Sequence, residues 1–279
     1  MYSGSTLTKT SGRILGAHQK FDKVARKHLA KIADEHAHFP TARKILHFEG
    51  KNGPDALKRK SPAKDEPWHY YSPFDDQDSI LVKLIEDHYK QLVHELKQGN
   101  DERVAFEAAW LAHALVDGLT PAHHYPYEKK LVELRGGEGI ETRTSIKAKW
   151  IIPGINRREK VKNNFKMWGP KGLITTHGLF ELGIATIIAP LTFKEAVPSE
   201  HDIKRMMDIG VIAWFQAAAR EIAVMDMYGA YYKRGWTPKL AWQVRHKLGP
   251  VITQTVTLTW YSALVEAGAI PRPKALQPA

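Results

Sequence analysis

The stretch 109–125, AWLAHALVDGLTPAHHY, constrains this chain more than any other. Apolar residues recur at helical spacing through its first part, which predicts a largely buried helix. His113 and Asp117 stand four residues apart and therefore share one face of that helix. The break at 118–121 then ends the helix and turns the chain back, which lets His123 return beside them.

Three ligand-type side chains on an apolar element are costly to bury unless a partner offsets the cost, and a divalent metal ion is the simplest such partner. The chain has no cysteine, so any metal must be held by His, Asp and Glu, and disulfides are excluded. Nitrogen and carboxylate oxygen ligands favour zinc, with manganese or iron as lesser candidates. A lone helical His-x3-Asp is more often a hydrogen-bonded core pair. Whether it forms a metal site therefore depends on ligand-type residues in other segments of the chain.

The charge balance is basic. The 279 residues include 41 basic and 30 acidic side chains, a formal charge of +11. This surplus favours polyanionic or phosphate-bearing partners, although a merely soluble basic surface gives the same count. The N-terminus lacks the apolar region of a secretory signal, and no apolar run predicts a membrane span. A cytoplasmic protein is therefore expected, with unconventional export or a trimmed leader as the alternatives.

Helical patterns dominate the rest of the chain. They cover residues 11–36, 76–98, the central stretch from a cap at Asp101, 173–188, 200–232 and 238–267, where Pro250 could bend the last helix. Residues 44–64 and 126–172 are rich in Gly, Pro and basic residues and are predicted to be loops. We expect an all-α fold, a single compact multi-helix bundle of residues 1–279, with a flexible arm at 1–12 and a long basic loop insertion at 126–172.

The predicted insertion interleaves basic residues with Trp150 and Trp168. This mixture suits a nucleic-acid groove or an anionic lipid surface, and it also occurs in ordinary solvated loops. The basic residues are Lys147, Lys149, Arg157, Arg158, Lys160, Lys162, Lys166 and Lys171.

Further ligand-type residues lie on other segments. His18 falls on the first predicted helix, where an inward and a surface position are both open. Asp55 sits in a Gly-Pro-Asp turn and His69 among aromatic residues, so their ordinary interpretations are a solvated turn residue and a packing residue. His177 and Glu181 again stand one turn apart on an apolar helix, either as a buried ion pair or as half of a second metal site.

In chain order these candidates read His18, Asp55-x13-His69, His113-x3-Asp117-x5-His123 and His177-x3-Glu181. Their order and spacing resemble the zinc-dependent phospholipase C and P1/S1 nuclease superfamily, an all-helical fold with a cluster of three zinc ions. Pro121 also matches, and the motifs extend over roughly residues 14–190. Each motif alone is weakly specific, whereas the set in this order is strongly so.

The resemblance implies how two to three zinc ions would be held. A first would use Asp55, His69, His113 and Asp117; a second His123, His177 and Glu181; a third would share Asp117 as a bridge and use His18. In the phospholipases, an N-terminal Trp completes the third site through its free amino group and carbonyl. The arm of residues 1–16 has no Trp, which predicts an incomplete third site unless the arm is cleaved or another group substitutes.

The resemblance also implies an activity, that of a zinc-dependent phosphoric diester hydrolase using metal-activated water. Asp55 would be both a ligand and the candidate proton acceptor. The Asp-x13-His and His-x3-Glu spacings fit the phospholipase C branch more closely, which implies phospholipid as substrate. The insertion is longer than the corresponding link in either branch, so substrate selectivity is expected to differ there.

Two alternatives stay open. The charge of +11 favours a P1/S1-like single-strand nuclease, and the missing Trp favours a non-catalytic, metal-stabilised binding or scaffold protein. The partners expected are a phospholipid or other phosphodiester, together with an anionic membrane surface or single-stranded nucleic acid. No obligate protein partner is evident. In a phospholipase, Trp68, Tyr70, Tyr71 and Phe74 would lie near the lipid.

Overall fold

The computed structural model describes residues 1, 16–33, 37–50 and 52–271, and all regular structure within them is helical. Helices α1 to α14 span Ala17–Ile32, Ala42–Glu49, Pro54–Lys60, Ile80–Gln98, Asp101–Gly118, Tyr127–Leu134, Ile146–Trp150, Arg157–Trp168, Leu173–Ile188, Glu200–Ile209, Val211–Val224, Met227–Arg234, Pro238–Gln243 and Gly249–Glu266. The predicted all-α class is confirmed for this part of the chain. Of the predicted arm at 1–12, only Met1 is described, and it is buried.

Helix α5 forms the centre of the bundle. Gly99 ends α4 in the left-handed conformation (φ 69°), and the Asn100 side chain caps α5 by accepting from a backbone N–H. The predicted cap, Asp101, is instead the first helical residue and binds Lys44. At the other end, a Cβ on Gly118 would come within 2.5 Å of the Phe215 ring. Gly118 thus lets the Phe215 side chain of α11 pack directly against the end of α5.

Helix α14 packs against α1, α4 and α5. Trp260 is fully buried, and its indole N–H donates to the Ala108 carbonyl of α5 at 3.2 Å. Thr253 and Thr257 donate to carbonyls one turn earlier, which lets these hydroxyls be buried. A π-helical turn at Val244–Leu248 leads directly into α14, just before Pro250, where the sequence predicts a bend. None of the described helices has both the length and the apolar character to span a bilayer.

Both regions predicted as loops are largely helical. Residues 44–64 contain most of α2 and all of α3, and the insertion at 126–172 contains α6, α7 and α8. Basic side chains fix the insertion: Arg135 donates to the Ala148 carbonyl at 3.0 Å, and buried Lys149 binds the carboxylate of Glu66. Since charged groups provide much of the packing there, an apolar periodicity could not reveal these helices.

The long helix predicted over 200–232 is three helices. Gly210 (φ 82°) separates α10 from α11, and Asp226 (φ 43°) precedes α12. A left-handed residue cannot continue an α-helix, so the direction of the chain changes at both points. The apolar spacing stays helical across the breaks, which is why the sequence pattern did not show them.

Candidate metal centre

The eight predicted ligand residues converge. Their side-chain nitrogen and oxygen atoms form three groups, each with all atoms within 4.8 Å of one another: His18, His113 and Asp117; Asp55, His69 and His113; and His123, His177 and Glu181. These residues come from five segments: α1, α3, the loop before α4, α5 together with the short turn that follows it, and α9. The inward position of His18 is confirmed, and Asp55 is half-buried at the site and not a solvated turn residue.

Asp117 lies at the centre of the cluster. Its Oδ1 is 3.3 Å from His18 Nε2 and 3.3 Å from His123 Nδ1. Its Oδ2 is 2.5 Å from His69 Nδ1 and 3.1 Å from His113 Nε2. Because the two oxygens face different pairs of imidazoles, this carboxylate has the arrangement expected of a bridging ligand.

The second group has a geometry that requires a cation. His123 Nδ1 donates to the backbone carbonyl of His69 at 2.8 Å, because a carbonyl can only accept. In the neutral ring, Nε2 then presents a lone pair 2.9 Å from Glu181 Oε1, which also lies 2.9 Å from His177 Nε2. Two acceptors this close repel unless positive charge lies beside them. The Met1 amino group lies 3.4 Å from His123 Nε2 and 3.5 Å from Glu181 Oε1 and supplies such a charge, and a metal ion would be a second source.

Several imidazole nitrogens in the cluster are buried and have no hydrogen-bond partner within the described residues. They are His18 Nδ1 and Nε2, His69 Nε2, His113 Nε2 and His177 Nδ1. Leaving a buried polar atom unpaired costs on the order of 1–3 kcal/mol. The donor set, nitrogen and carboxylate oxygen, is one that zinc accepts. The residues present therefore fit a zinc cluster.

Two imidazoles and two carboxylates of the cluster are in the forms that suit metal binding. Burial lowers the pKa of His69 to about 4 and that of His123 to about 3, so both rings are neutral at pH 7. Burial by itself would raise the pKa of Asp117 and Glu181, but surrounding imidazoles and an amino group hold both well below the usual range. Neutral imidazoles and ionised carboxylates are the forms that bind a metal. His113 differs, because burial by itself would lower its pKa but Glu49 and Asp117 outweigh burial and raise the pKa well above the usual value, so a metal bound there must displace a proton.

The amino group of Met1 lies inside the cluster. It is hydrogen-bonded to Asp117 Oδ1 and lies 3.5 Å from Glu181 Oε1 and 3.4 Å from His123 Nε2. Among the outcomes expected for the third site, substitution by another group is the one this contact favours, because the Met1 nitrogen lies beside Asp117. A cationic group held between these carboxylates shows that the site favours positive charge.

Two buried carboxylates behind the cluster were missed. Glu49, fully buried at the end of α2, accepts from His113 Nδ1 at 3.1 Å and so directs Nε2 of that ring into the cluster. Asp22 is buried, and neither of its oxygens has a hydrogen-bond partner in the part of the chain that the structure describes; burial followed by repulsion from Glu49 raises its pKa well above the usual value. His18-x3-Asp22 repeats the spacing of the central motif and could have revealed Asp22, whereas Glu49 fell in a predicted loop.

Glu49→Gln is expected to lower zinc affinity by about 10- to 100-fold, because an amide holds the imidazole of His113 less firmly than a carboxylate does. Competition with a chromophoric chelator measures this. The matched control is Glu107→Gln, since buried Glu107 similarly pairs with His88 Nδ1, at 2.7 Å, outside the cluster. Equal losses of affinity in both variants would show that Glu49 acts only through stability.

A cleft of about 240 Å³ opens beside the cluster and is lined in part by Asp55, His69, His123, His177 and Glu181. The insertion supplies much of the opposite wall, including Tyr127, Leu131, Arg143, Trp150 and Met167. Of the aromatic residues expected near a lipid, Trp68 and Tyr70 line the cleft, whereas Tyr71 is buried against Phe215 and Phe74 is exposed elsewhere. The insertion therefore lies where it can contact a substrate.

Comparison with family models, with curated proteins and with solved structures finds no match for this chain. The resemblance drawn from the motifs thus rests on the order and spacing of the residues themselves.

Proposed function

We propose that this protein is a zinc-dependent phosphodiester hydrolase whose preferred substrate is a phospholipid. The observation that carries the proposal is the convergence of eight His, Asp and Glu side chains from distant segments beside a cleft. Their order along the chain is that of the phospholipase C and P1/S1 nuclease superfamily. The amino group of Met1 would supply the nitrogen that an N-terminal Trp provides in the phospholipases.

Zinc in such a cluster polarises a phosphoryl oxygen and lowers the pKa of bound water towards about 7. The residues of this chain bind it and handle the proton. Burial by itself would raise the pKa of Asp55, but His113 and His18 outweigh it and lower the pKa below the usual value. Asp55 is therefore ionised and lines the cleft, which suits it to accept a proton from the attacking water.

Lys58 is the residue we assign to the phosphate. It lines the cleft one turn after Asp55, and its Nζ lies 5.9 Å from the centre of the Tyr70 ring. Burial opposes its charge, but Asp55 and Glu66 raise its pKa above the usual value. Of the three other Lys and Arg residues in the lining, Lys149 and Arg143 are already paired with Glu66 and Glu128, and Arg59 is exposed. Lys58 can therefore bind a phosphoryl oxygen as a cation.

The lining favours lipid over nucleic acid. Leu131, Ile140, Met167 and Ile174 offer aliphatic contact to acyl chains. The rings of Tyr70 and Tyr127 stack on each other at 5.3 Å and 6°, so their facing sides are occupied. A nuclease cleft would present free aromatic faces for bases.

Metal analysis and hydrolysis assays test the proposed function. We expect bound zinc, turnover of bis(4-nitrophenyl) phosphate, and release of diacylglycerol from a short-chain phosphatidylcholine. Bound zinc without turnover of any diester would favour a scaffold protein. Cleavage of single-stranded DNA but not of lipid, with a steep loss of activity on adding salt, would identify a nuclease.

Lys58→Met is expected to lower kcat/KM for a phosphodiester by about 10- to 100-fold, since a hydrogen bond to a charged group contributes about 1.5–3 kcal/mol. Zinc content should stay unchanged because Lys58 is not a ligand. Lys60→Met, an exposed position of the same helix, is the control and should retain full activity. Wild-type kinetics in Lys58→Met would refute the assignment.

A further inference from the structure

Helix α8 carries an apolar stripe that no other part of the described chain covers. Val161, Phe165 and Trp168 recur at i, i+4 and i+7 and are 64%, 68% and 45% exposed. Ile155, just before the Asn156 cap of this helix, is 95% exposed. The opposite side of α8 packs inward through Met167. The exposed side is thus one continuous face and not a set of scattered residues.

Basic side chains flank the stripe. Arg158, Lys162 and Lys166 are exposed, and within the described residues none of them pairs with a carboxylate. The basic residues inside the insertion behave differently, since Arg135 and Lys149 are buried and bound to acceptors. Cations that form no ion pair within the described residues therefore lie beside the exposed apolar side chains of α8.

We propose that this outer face of α8 docks the protein on an anionic lipid bilayer. An amphipathic helix with an apolar face and Lys or Arg beside it binds in the plane of a membrane interface, by burial of apolar surface and attraction to anionic lipids. Single-stranded nucleic acid fits the face less well, because the aliphatic side chains of Val161 and Ile155 have no ring on which a base could stack. The inference deepens the proposed function, on which it rests for the identity of the substrate.

The docking face is connected to the cleft. Trp168 donates from its indole N–H to the Trp150 carbonyl at 2.9 Å, and the two rings lie 5.6 Å apart. Trp150 and Met167 both line the cleft. Docking through α8 would therefore bring the bilayer to the wall of the cleft that the insertion builds, which accounts for an insertion at this point of the chain.

Sedimentation with lipid vesicles tests the docking face. We expect wild-type protein to bind vesicles of phosphatidylcholine with phosphatidylglycerol more tightly than vesicles of phosphatidylcholine alone. Phe165→Gln should lower partitioning into the mixed vesicles by roughly tenfold. The matched control is Phe74→Gln, since Phe74 is also 68% exposed but lies outside α8 and the cleft; its partitioning should stay unchanged. Lys162→Gln with Lys166→Gln should remove the preference for anionic vesicles.

Hydrolysis of soluble bis(4-nitrophenyl) phosphate separates this inference from the proposed function, because that substrate needs the metal centre but no membrane. Phe165→Gln should hydrolyse it like the wild type and lose activity only on vesicles. Equal vesicle binding by Phe165→Gln and the wild type would overturn the docking face. Loss of single-stranded DNA binding in Phe165→Gln, with no vesicle binding by the wild type, would overturn it in favour of nucleic acid. Absence of diester hydrolysis by the wild type would instead refute the proposed function.

Discussion

Asp117→Asn is expected to lose zinc and hydrolytic activity together. Each oxygen of Asp117 faces a different pair of imidazoles, and an amide can neither bridge two cations nor balance their charge. Removing several kcal/mol of transition-state stabilisation corresponds to a loss of at least about a thousandfold in kcat/KM. Elemental analysis and the rate on a chromogenic diester measure both effects.

Asp101→Asn is the control for this variant. Asp101 lies in the first turn of the same helix, partly exposed and bound to Lys44, so the same chemical change there should leave zinc content and rate at wild-type levels. Circular dichroism of Asp117→Asn should stay helical, because Asn is isosteric with Asp. Retention of all zinc by Asp117→Asn would contradict the bridging role.

Removing the metal with a chelator is expected to lower the thermal midpoint by about 10 °C. A ligand present at a thousandfold over its Kd stabilises the folded state by about 4 kcal/mol, and each kcal/mol shifts the midpoint of a protein near this size by about 2–4 °C. Without metal, the Met1 amino group is the cation beside His123 Nε2 and Glu181 Oε1, which lie 2.9 Å apart. Nitrogens of His18 and His69 then have no hydrogen-bond partner among the described residues. Scanning calorimetry with and without dipicolinate gives the shift.

Two comparisons make that shift specific. Zinc added back should restore the midpoint, whereas magnesium, which prefers oxygen ligands, should not. Asp117→Asn, already deprived of metal, should show little response to the chelator. A wild-type midpoint insensitive to chelation would mean that the buried His, Asp and Glu side chains satisfy one another without an ion.

Motif spacing was informative where ligands share an element. His113 with Asp117 and His177 with Glu181 stand one turn apart, and a helix places such residues on one face whatever surrounds it. The order of the motifs then connected His18, Asp55 and His69 to the same site, and the structure brings all of them together. The i, i+4 spacing and the order of the motifs are both properties of the sequence, so they can be recognised without a structure.

The loops were predicted wrongly for a physical reason. Apolar periodicity detects a helix that buries an apolar face. Helix α8 instead leaves its apolar stripe exposed, and the insertion packs through the side chains of Arg135 and Lys149. A prediction from apolar periodicity assumes that apolar side chains are buried and that charged side chains are exposed. The exposed apolar stripe is also the feature from which we infer a partner for α8.

The sequence by itself determined the helical class, the absence of thiolate ligands, and the identity and order of the eight candidate ligands. Only the tertiary structure decided that Glu49 supports His113, that the Met1 amino group enters the cluster, and that the insertion forms a wall of the cleft. Glu49 and His113 are 64 positions apart in the chain, and Met1 and Asp117 are 116 positions apart. Contacts at that separation depend on how helices pack against one another, and neither local propensity nor spacing carries that information.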